Sequence, residues 1–252
     1  AGPPQVKMAT NEDTNAEELG GAGMHSNISG VADFLADDEM DAINIARNVV
    51  KTLKPHKPHF EPTTPIVPPR YKQEELLGIL PANLKKQVDV REVIARFVDG
   101  SEFTDFKENY GKTMICCWTK IGGYPVGIIA SNGVIFAESA QKATQFIQLA
   151  NKSNLPLLFM HNTTGFMVGK SYEQKGMINS GSQLIHAVAG STVPHITLLI
   201  GNSYGAGNYA MCGRSFSPRF LFSYPSVKAG VMGAEQLAGV MEINKRQSAA
   251  ST

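Results

Sequence analysis

The clearest indication of the fold class is the apolar run Leu155-Pro156-Leu157-Leu158-Phe159-Met160. It has the length of a strand, and a second, mainly apolar run follows at 195–200. Between them, residues 172–189 place their aliphatic side chains at helical spacing. Apolar strands joined by a helix of this length form right-handed crossovers between parallel strands that are buried on both faces. The pattern predicts an α/β fold with functional loops at the carboxyl ends of the strands.

The neighbouring segments continue this alternation of strands and helices. A hairpin is predicted from two strand-like segments, 113–119 and 125–130, which are joined through Gly122-Gly123. The remaining predicted elements, in chain order, are a helix with its first turn at 36–39, a short helix at 89–98, a helix at 138–150, a short helix at 204–213 and a strand at 220–223.

A proline-rich stretch divides the chain. Residues 1–55 hold an acidic, glycine-bearing loop and the first predicted helix, which ends at Lys54-Pro55. The prolines that follow remove backbone donors and favour an extended path; they are Pro55, Pro58, Pro62, Pro65, Pro68, Pro69 and Pro81. We therefore predict a first domain portion over 1–55, a linker over 56–87 and a second domain over 88–252.

Composition excludes several functional classes. The 252 residues are 42% hydrophobic and 18% charged, which is enough apolar material to bury a core. Lys and Arg number 23 against 22 Asp and Glu, so neither nucleic acid nor a membrane surface is predicted as a partner. No apolar run approaches the ~20 residues of a membrane-spanning helix. The cysteines, Cys116, Cys117 and Cys212, form no CxxC site and indicate a reducing compartment.

Three motifs look catalytic and fail on spacing or chain order. Residues 165–171 end in Gly-Lys-Ser, as a phosphate-binding loop does, but only three residues separate the two glycines where that loop needs four. Ser203 stands in a G-x-S-x-G outline, yet no histidine follows His195 to serve as the base of a hydrolase. None of the six histidines lies at metal-ligand spacing from another, so we predict structural roles for them.

Two strand ends remain as candidate sites, Thr164-Gly165-Phe166 and Gly205-Ala206-Gly207. Both offer small residues and backbone N–H groups, and the second opens a helix, whose positive end favours negative charge. Such loops bind oxyanions, although glycines that only make tight turns would give the same pattern. Neither loop carries a side-chain base. They suit chemistry in which a substrate or cofactor moves the proton and the protein supplies backbone donors.

Longer motifs surround these loops. They are 162–169 (Asn-Thr-Thr-Gly-Phe-Met-Val-Gly) with Tyr172-Glu173, 204–209 (Tyr-Gly-Ala-Gly-Asn-Tyr), 211–214 (Met-Cys-Gly-Arg), 217–220 (Ser-Pro-Arg-Phe) and 231–236 (Val-Met-Gly-Ala-Glu-Gln). Together with segments at 20–31 and 89–101, they resemble the carboxyltransferase (β) subunits of biotin-dependent acyl-CoA carboxylases, most closely those acting on 3-methylcrotonyl-CoA. The resemblance covers nearly the whole chain. Three residues depart from the family pattern: His161 stands where glutamine is expected, and Ala210 and Ala234 where glycine is common.

The resemblance implies a crotonase-like (ClpP/crotonase) fold of ββα units. Residues 1–55 would then be the C-terminal tail of a preceding crotonase-like carboxyltransferase domain, most of which lies outside this chain. The terminal helices of the second domain, expected after Val240, would be cut short near 244–247. We therefore expect the chain to be a fragment.

The resemblance also implies an enzyme that transfers the carboxyl group of carboxybiotin to an acyl-CoA, with backbone oxyanion holes stabilising the enolates. The N–H groups of Ala206 and Gly207 would meet the biotin ureido oxygen, and Gly165, Phe166 and Gly205 would line the same pocket; no metal is expected. A biotin carboxylase/biotin carrier α subunit would carry the biotin. The β subunits would form a homo-oligomer, a hexamer, in the bacterial cytoplasm or the mitochondrial matrix.

Several alternatives stay open on the sequence. The acceptor could be propionyl-CoA, geranyl-CoA or another acyl-CoA in place of 3-methylcrotonyl-CoA, because the acyl pocket would lie mainly in sequence outside this chain. Biotin-dependent decarboxylase subunits resemble the same family. A chain that lacks most of the acyl-CoA domain could also be an inactive remnant.

Overall fold

The computed structural model describes residues 2–30, 32–52, 61–81 and 88–250. The chain separates into two compact units, Ala1–Pro58 and His59–Thr252, and each is described by itself. The predicted helix end at Lys54-Pro55 lies outside the described residues, as do Pro58, His56 and His59.

Every regular element in the described part of the first unit is a helix. Its helices are α1 (Pro3–Thr10), α2 (Ala16–Gly20), α3 (Ala22–Met24), which continues as a π-helical turn over His25–Ser29, and α4 (Glu39–Thr52). The helix predicted to have its first turn at 36–39 is confirmed by α4, which begins at Glu39. Acidic residues in its first turn and Lys51 in its last turn complement the helix dipole. Its apolar side chains Met40, Ile43 and Val50 are exposed.

Part of the proline-rich stretch belongs to the second unit. The Thr63 N–H donates to the Gly123 carbonyl at 2.9 Å, and the Gly100 N–H donates to the Val67 carbonyl at 3.0 Å. Residues 61–70 are therefore hydrogen-bonded within the second unit, although the sequence assigns them to a linker. The limits of the two domains remain predictions.

The second unit is built on a seven-stranded sheet. Its strands are β1 (Phe103–Asp105), β2 (Met114–Ile121), β3 (Tyr124–Ser131), β4 (Leu157–Thr163), β5 (His195–Tyr204), β6 (Phe220–Ser223) and β7 (Lys228–Gly230). The order is β1-β2-β3-β4-β5-β6, and β7 pairs with the carboxyl half of β5. Strands β1 to β3 are antiparallel neighbours, whereas β3 to β6 run parallel. The predicted hairpin and the α/β class are confirmed.

The hairpin turn between β2 and β3 depends on two glycines. Gly122 and Gly123 have φ angles of 61° and 83°, which a two-residue turn between twisted strands requires and other residues rarely adopt. Both of their N–H groups donate to the Asp99 carboxylate, at 2.8 and 2.6 Å. The turn is thus anchored to the segment that precedes β1.

Hydrophobic residues cover both faces of the sheet. The helices of this unit are α5 (Leu76–Ile79), α6 (Val90–Ile94), α7 (Ala137–Lys152), α8 (Lys170–Gln174), α9 (Met177–Ala189), α10 (Gly205–Ala210) and α11 (Ala234–Ala250). On one face, Phe146 of α7 and Leu184 of α9 pack in a cluster with Phe159 of β4. On the other face, Ile94 of α6 packs in a cluster with Ile128 of β3. This is the two-sided burial that parallel strands need.

The structure corrects three details of the prediction. The single helix predicted over 172–189 is two helices, α8 and α9, because Gly176 adopts φ +81° between them. Strands β1 and β7 were not predicted: each has three residues, too short for a sequence period to show. The chain also continues as α11 through 244–247, where an interruption was expected, since Lys, Arg and Gln favour helix.

Strand β1 is held at the sheet edge by an ion pair. Arg91 of α6 donates from its Nε and Nη2 atoms to one oxygen of Asp105, at 2.8 Å each. This contact joins residues that are 14 positions apart in sequence.

Among the described residues, no helix is both long and apolar enough to cross a membrane.

Candidate functional site

The two predicted loops lie against each other at the carboxyl ends of neighbouring strands. Gly165 follows β4, and Gly207 lies in the first turn of α10, directly after β5. A Cβ atom on Gly207 would stand 2.8 Å from the Cα atom of Gly165, closer than real Cβ atoms approach. The backbones therefore touch only because residue 207 is glycine, while Gly165 adopts a φ of +115° that favours glycine. The resemblance predicted that the two loops line one pocket, and the structure places them in contact.

The start of α10 supplies backbone donors to this site. The first N–H groups of a helix have no partner within the helix, and Tyr204, which precedes α10, caps none of them with its side chain. These donors include the N–H groups of Ala206 and Gly207. Ala206 is exposed, whereas Gly207 is buried against the neighbouring loop. An anion reaching Ala206 would meet adjacent N–H donors and the positive end of α10.

The Gly165-Phe166 loop contributes a second backbone edge. Ile135 bridges this loop by donating to the Gly165 carbonyl and accepting from the Met167 N–H, both at 2.9 Å. That pairing leaves the Phe166 N–H outside the bridge. The Gly165 N–H itself donates to Thr163 Oγ1 at 3.1 Å. Gly165 therefore serves the site through its missing side chain, and Phe166 is the residue of this loop whose amide stays outside the pairing.

The position of Phe166 is set by the packing of its aromatic ring. The side chain is half-buried and packs against the cluster between the sheet and α7 and α9. A Cβ atom on Gly181 of α9 would lie 3.2 Å from Phe166 Cε1, so the helix approaches the ring at a glycine. The backbone of Phe166 is thereby positioned by the packing of its own side chain.

A third loop, 231–233, also reaches the site and was not predicted as part of it. Gly205 has a φ of +52°, and a Cβ atom there would lie 2.8 Å from the Val231 carbonyl oxygen. Gly233 stands beside the Tyr204 ring, at 3.7 Å from a Cβ atom to Cε2. The Val-Met-Gly motif at 231–233 was the available sequence signal. It follows a strand too short to be recognised.

Buried hydrogen bonds connect β4 with both ends of α10. His161 Nδ1 lies 2.8 Å from Ser203 Oγ, and its Nε2 lies 2.5 Å from the Met211 carbonyl oxygen. Asn208 Nδ2 donates to the same Ser203 Oγ at 2.8 Å. Burial lowers the pKa of His161 to about 4, so the ring is neutral near pH 7. The structural role predicted for this histidine agrees with its saturated contacts.

Ser203 and His161 resemble a nucleophile and its base, but their burial excludes that role. The sequence argued against a hydrolase because no histidine follows His195. The structure, however, places an earlier histidine, His161, beside Ser203. Both side chains have 0% exposure. A substrate cannot reach a hydroxyl that is enclosed and already bonded on two sides. The contact is structural.

The remaining sequence motifs stay apart from this site. Lys170 begins the five-residue α8, and the N–H groups of Gly165 and Met167 before it are already bonded within the protein, so residues 165–171 lack the continuous run of N–H donors of a phosphate-binding loop. His195 lies at the other end of β5, where its Nε2 is 2.7 Å from Ser191 Oγ. Burial lowers the pKa of His195. Within the described ranges, no group of three or more His, Cys, Asp or Glu side chains could hold a metal ion.

Comparison with known proteins gives the family. The model of the carboxyl transferase domain matches residues 1–252, and the chain belongs to this family. It is 57% identical over 250 residues to a probable biotin-dependent acyl-coenzyme A carboxylase beta2 subunit of Mycobacterium tuberculosis, covering 99% of this chain and 47% of the relative. It is 52% identical to the mitochondrial methylcrotonoyl-CoA carboxylase beta chain of Dictyostelium discoideum, over 95% of this chain and 41% of the relative.

Solved structures agree with the fold. The β subunit of geranyl-CoA carboxylase from P. aeruginosa superposes with a TM-score of 0.71 at 47% identity, covering 98% of this chain and 46% of that one. A transcarboxylase 12S structure, described as a hexamer assembly with substrate binding, gives 0.67 at 33% identity over 96% and 48%. The predicted crotonase-like fold is confirmed by these neighbours. The chain spans about half the length of the relatives it matches.

Proposed function

We propose that this chain is part of the carboxyltransferase β subunit of a biotin-dependent acyl-CoA carboxylase. One observation carries the proposal: the Gly165-Phe166 loop and the amino end of α10 meet at two glycines and present backbone donors without a side-chain base. This arrangement stabilises developing negative charge on an oxygen and leaves proton transfer to the reactants. Membership of the carboxyl transferase family supports the same chemistry.

Carboxybiotin would supply the transferable carboxyl group at this site. The N–H groups of Ala206 and Gly207 would hold the ureido oxygen while negative charge accumulates on it, and the Phe166 backbone would line the opposite side. Gly205 would act by allowing the close contact with Val231, and Gly165 by adopting a φ of +115°, which side chains disfavour. Because these donors are fixed by packing, they need no reorganisation when charge develops. The acyl-thioester oxygen would be held mainly by residues outside this chain.

We propose 3-methylcrotonyl-CoA as the acceptor. Relatives from Dictyostelium discoideum and Mycobacterium tuberculosis that carry this substrate in their names are 52% and 50% identical. The geranyl-CoA carboxylase β subunit, at 47% identity, supports the alternative of another branched acyl-CoA. A propionyl-CoA carboxylase β chain is 31% identical. These identities favour a branched, unsaturated acceptor over propionyl-CoA.

The proposed assembly follows from the same relatives. Biotin would reach the site on a partner α subunit that contains the biotin carboxylase and biotin carrier, since the relatives are named as biotin-dependent subunits. A hexamer of β subunits is proposed from the transcarboxylase 12S neighbour. We place the whole protein in the bacterial cytoplasm or the mitochondrial matrix, since one of these relatives is named as mitochondrial and another comes from a bacterium.

Carboxyl transfer tests the proposal directly. The complete β subunit carrying this sequence is combined with its α partner, MgATP and labelled bicarbonate, and offered methylcrotonyl-, geranyl-, propionyl- and acetyl-CoA in separate reactions. We expect acid-stable label in methylcrotonyl-CoA, and none when the acyl-CoA is omitted. If the partner's biotin becomes carboxylated and no acyl-CoA is labelled, the carboxylase function is wrong, and the decarboxylase and inactive-remnant alternatives take its place.

A further inference from the structure

The hydrogen-bonded set His161, Ser203 and Asn208 connects two strands and both ends of α10. Resting on the function proposed above, we infer that these three side chains position α10. They hold the N–H groups of Ala206 and Gly207 at the place and in the direction that carboxyl transfer requires. His161 and Ser203 are fully buried, so neither of these side chains touches the reactants. Their effect on the reaction passes through α10.

The direction of each hydrogen bond follows from the partners. The Met211 carbonyl can only accept, so His161 Nε2 carries the proton and donates to it. In a neutral imidazole the other nitrogen is then an acceptor, so the Ser203 hydroxyl donates to His161 Nδ1. Ser203 Oγ in turn accepts from Asn208 Nδ2. Every polar atom of the imidazole is used, and the tautomer is fixed.

The contacts hold α10 from both sides. Ser203 lies two residues before the helix, Met211 directly follows it, and Asn208 lies inside it. A helix of six residues is too short to keep its own geometry, so its orientation must come from tertiary contacts. The imidazole spans from one end of α10 to the other. Removing it frees both ends at once.

Strand β4 is connected to both parts of the site. His161 lies in β4, which runs directly into the Gly165-Phe166 loop. The imidazole therefore holds α10 at a fixed distance from β4, the strand that positions the opposite loop. Backbone donors lose most of their effect when displaced by about 1 Å from the developing charge. A buried ring that fixes their spacing therefore affects the rate without contacting the substrate.

The test compares two substitutions of His161 in the assembled carboxylase. Glutamine can accept from Ser203 and donate to Met211, whereas leucine can do neither. We expect His161→Leu to lower kcat for carboxyl transfer by about 10- to 100-fold, a part of what loss of an oxyanion donor costs, with KM for the acyl-CoA changed less than about twofold. His161→Gln is expected to restore kcat to within about fivefold of the parent.

His195→Leu is the matched control. It also removes a buried imidazole from this sheet, but at the other end of β5, where the ring contacts Ser191 and Cys212. We expect it to lower the melting temperature and leave kcat within about twofold. If His161→Leu loses stability as His195→Leu does and keeps its kcat, His161 is only structural and the inference is wrong. It is equally wrong if His161→Gln loses as much activity as His161→Leu.

Hydrogen exchange separates this inference from the proposed function. Amides in 205–211 should exchange at least about tenfold faster in His161→Leu than in the parent or in His161→Gln. This readout stands even if no acyl-CoA is carboxylated, in which case the proposed function fails and the positioning of α10 is still measured. Unchanged exchange in His161→Leu would overturn the inference. Should that variant not fold, Ser203→Ala, which removes one of the two imidazole contacts, serves for both measurements.

Discussion

Gly165 occupies the space that a side chain on Gly207 would need: a Cβ atom on residue 207 would lie 2.8 Å from the Gly165 Cα atom. The contact joins two segments that follow different strands, β4 and β5. It sets the distance between the Phe166 amide and the amides at the start of α10. Any side chain at position 207 must push the loops apart.

Gly207→Ala is therefore expected to reduce carboxyl transfer by at least about tenfold and to destabilise the unit by about 1–3 kcal/mol, since the added methyl group meets backbone atoms that cannot rotate away. Activity and urea unfolding measure the two effects. Gly239→Ala is the control: nothing lies within 4 Å of a Cβ atom there, and alanine favours the α11 helix. Full activity in Gly207→Ala would show that the loop spacing is not critical.

Ala206→Trp tests the assignment of the oxyanion loop. Residue 206 is exposed, so the fold tolerates the larger side chain, but the indole would cover the N–H groups at the start of α10. We expect carboxyl transfer to fall by about 100-fold or more, comparable to the loss of an oxyanion donor, with an unchanged melting temperature. Gln148→Trp, which places the same ring on an exposed position of α7, should keep full activity. Retained transfer in Ala206→Trp would remove Ala206 and Gly207 from the site.

Stability should fall in acid because His161 is buried in its neutral form. Its pKa in the folded state is about 4, against 6.5 ordinarily, so the unfolded chain binds more protons between these values. The contribution is fully present above pH 6.5 and is lost as the pH falls towards 4, by about 3 kcal/mol in total. Urea unfolding at pH 7 and pH 4 should show a loss smaller by about this amount in His161→Gln. Parallel losses in the two proteins would contradict the assignment.

The cysteines should be inert in the native protein. All three are buried, and burial raises the pKa of Cys117 to about 12 and that of Cys212 to about 11, while the pKa of Cys116 is also raised. Since the thiolate is the reactive form, a thiol reagent at pH 8 should label none of them until the protein is unfolded. Ser182→Cys, at an exposed position of α9, should react at once and shows that the reagent works. Rapid labelling of the parent would contradict the burial.

Much of this fold can be read from sequence because long, regular elements have clear periods. Helix α7 shows its inward face directly, since Ala143, Phe146, Ile147 and Ala150 recur at helical spacing and are all buried. The break at Gly176 could not be read in the same way, because α8 and α9 share one continuous helical pattern and a single backbone angle separates them. The three-residue strands β1 and β7 are formed by pairing with partners distant in sequence.

The sequence by itself determined the class of fold, the two glycine-bearing loops and the family, because local periods and ordered motifs are properties of the chain alone. Tertiary structure decided which backbones touch: Gly207 against Gly165, and Gly205 against Val231. It also decided that His161, one of the six histidines of the sequence, joins both ends of α10. These relationships depend on strand order and on distances of a few ångströms between segments far apart in the chain, and no local pattern encodes them.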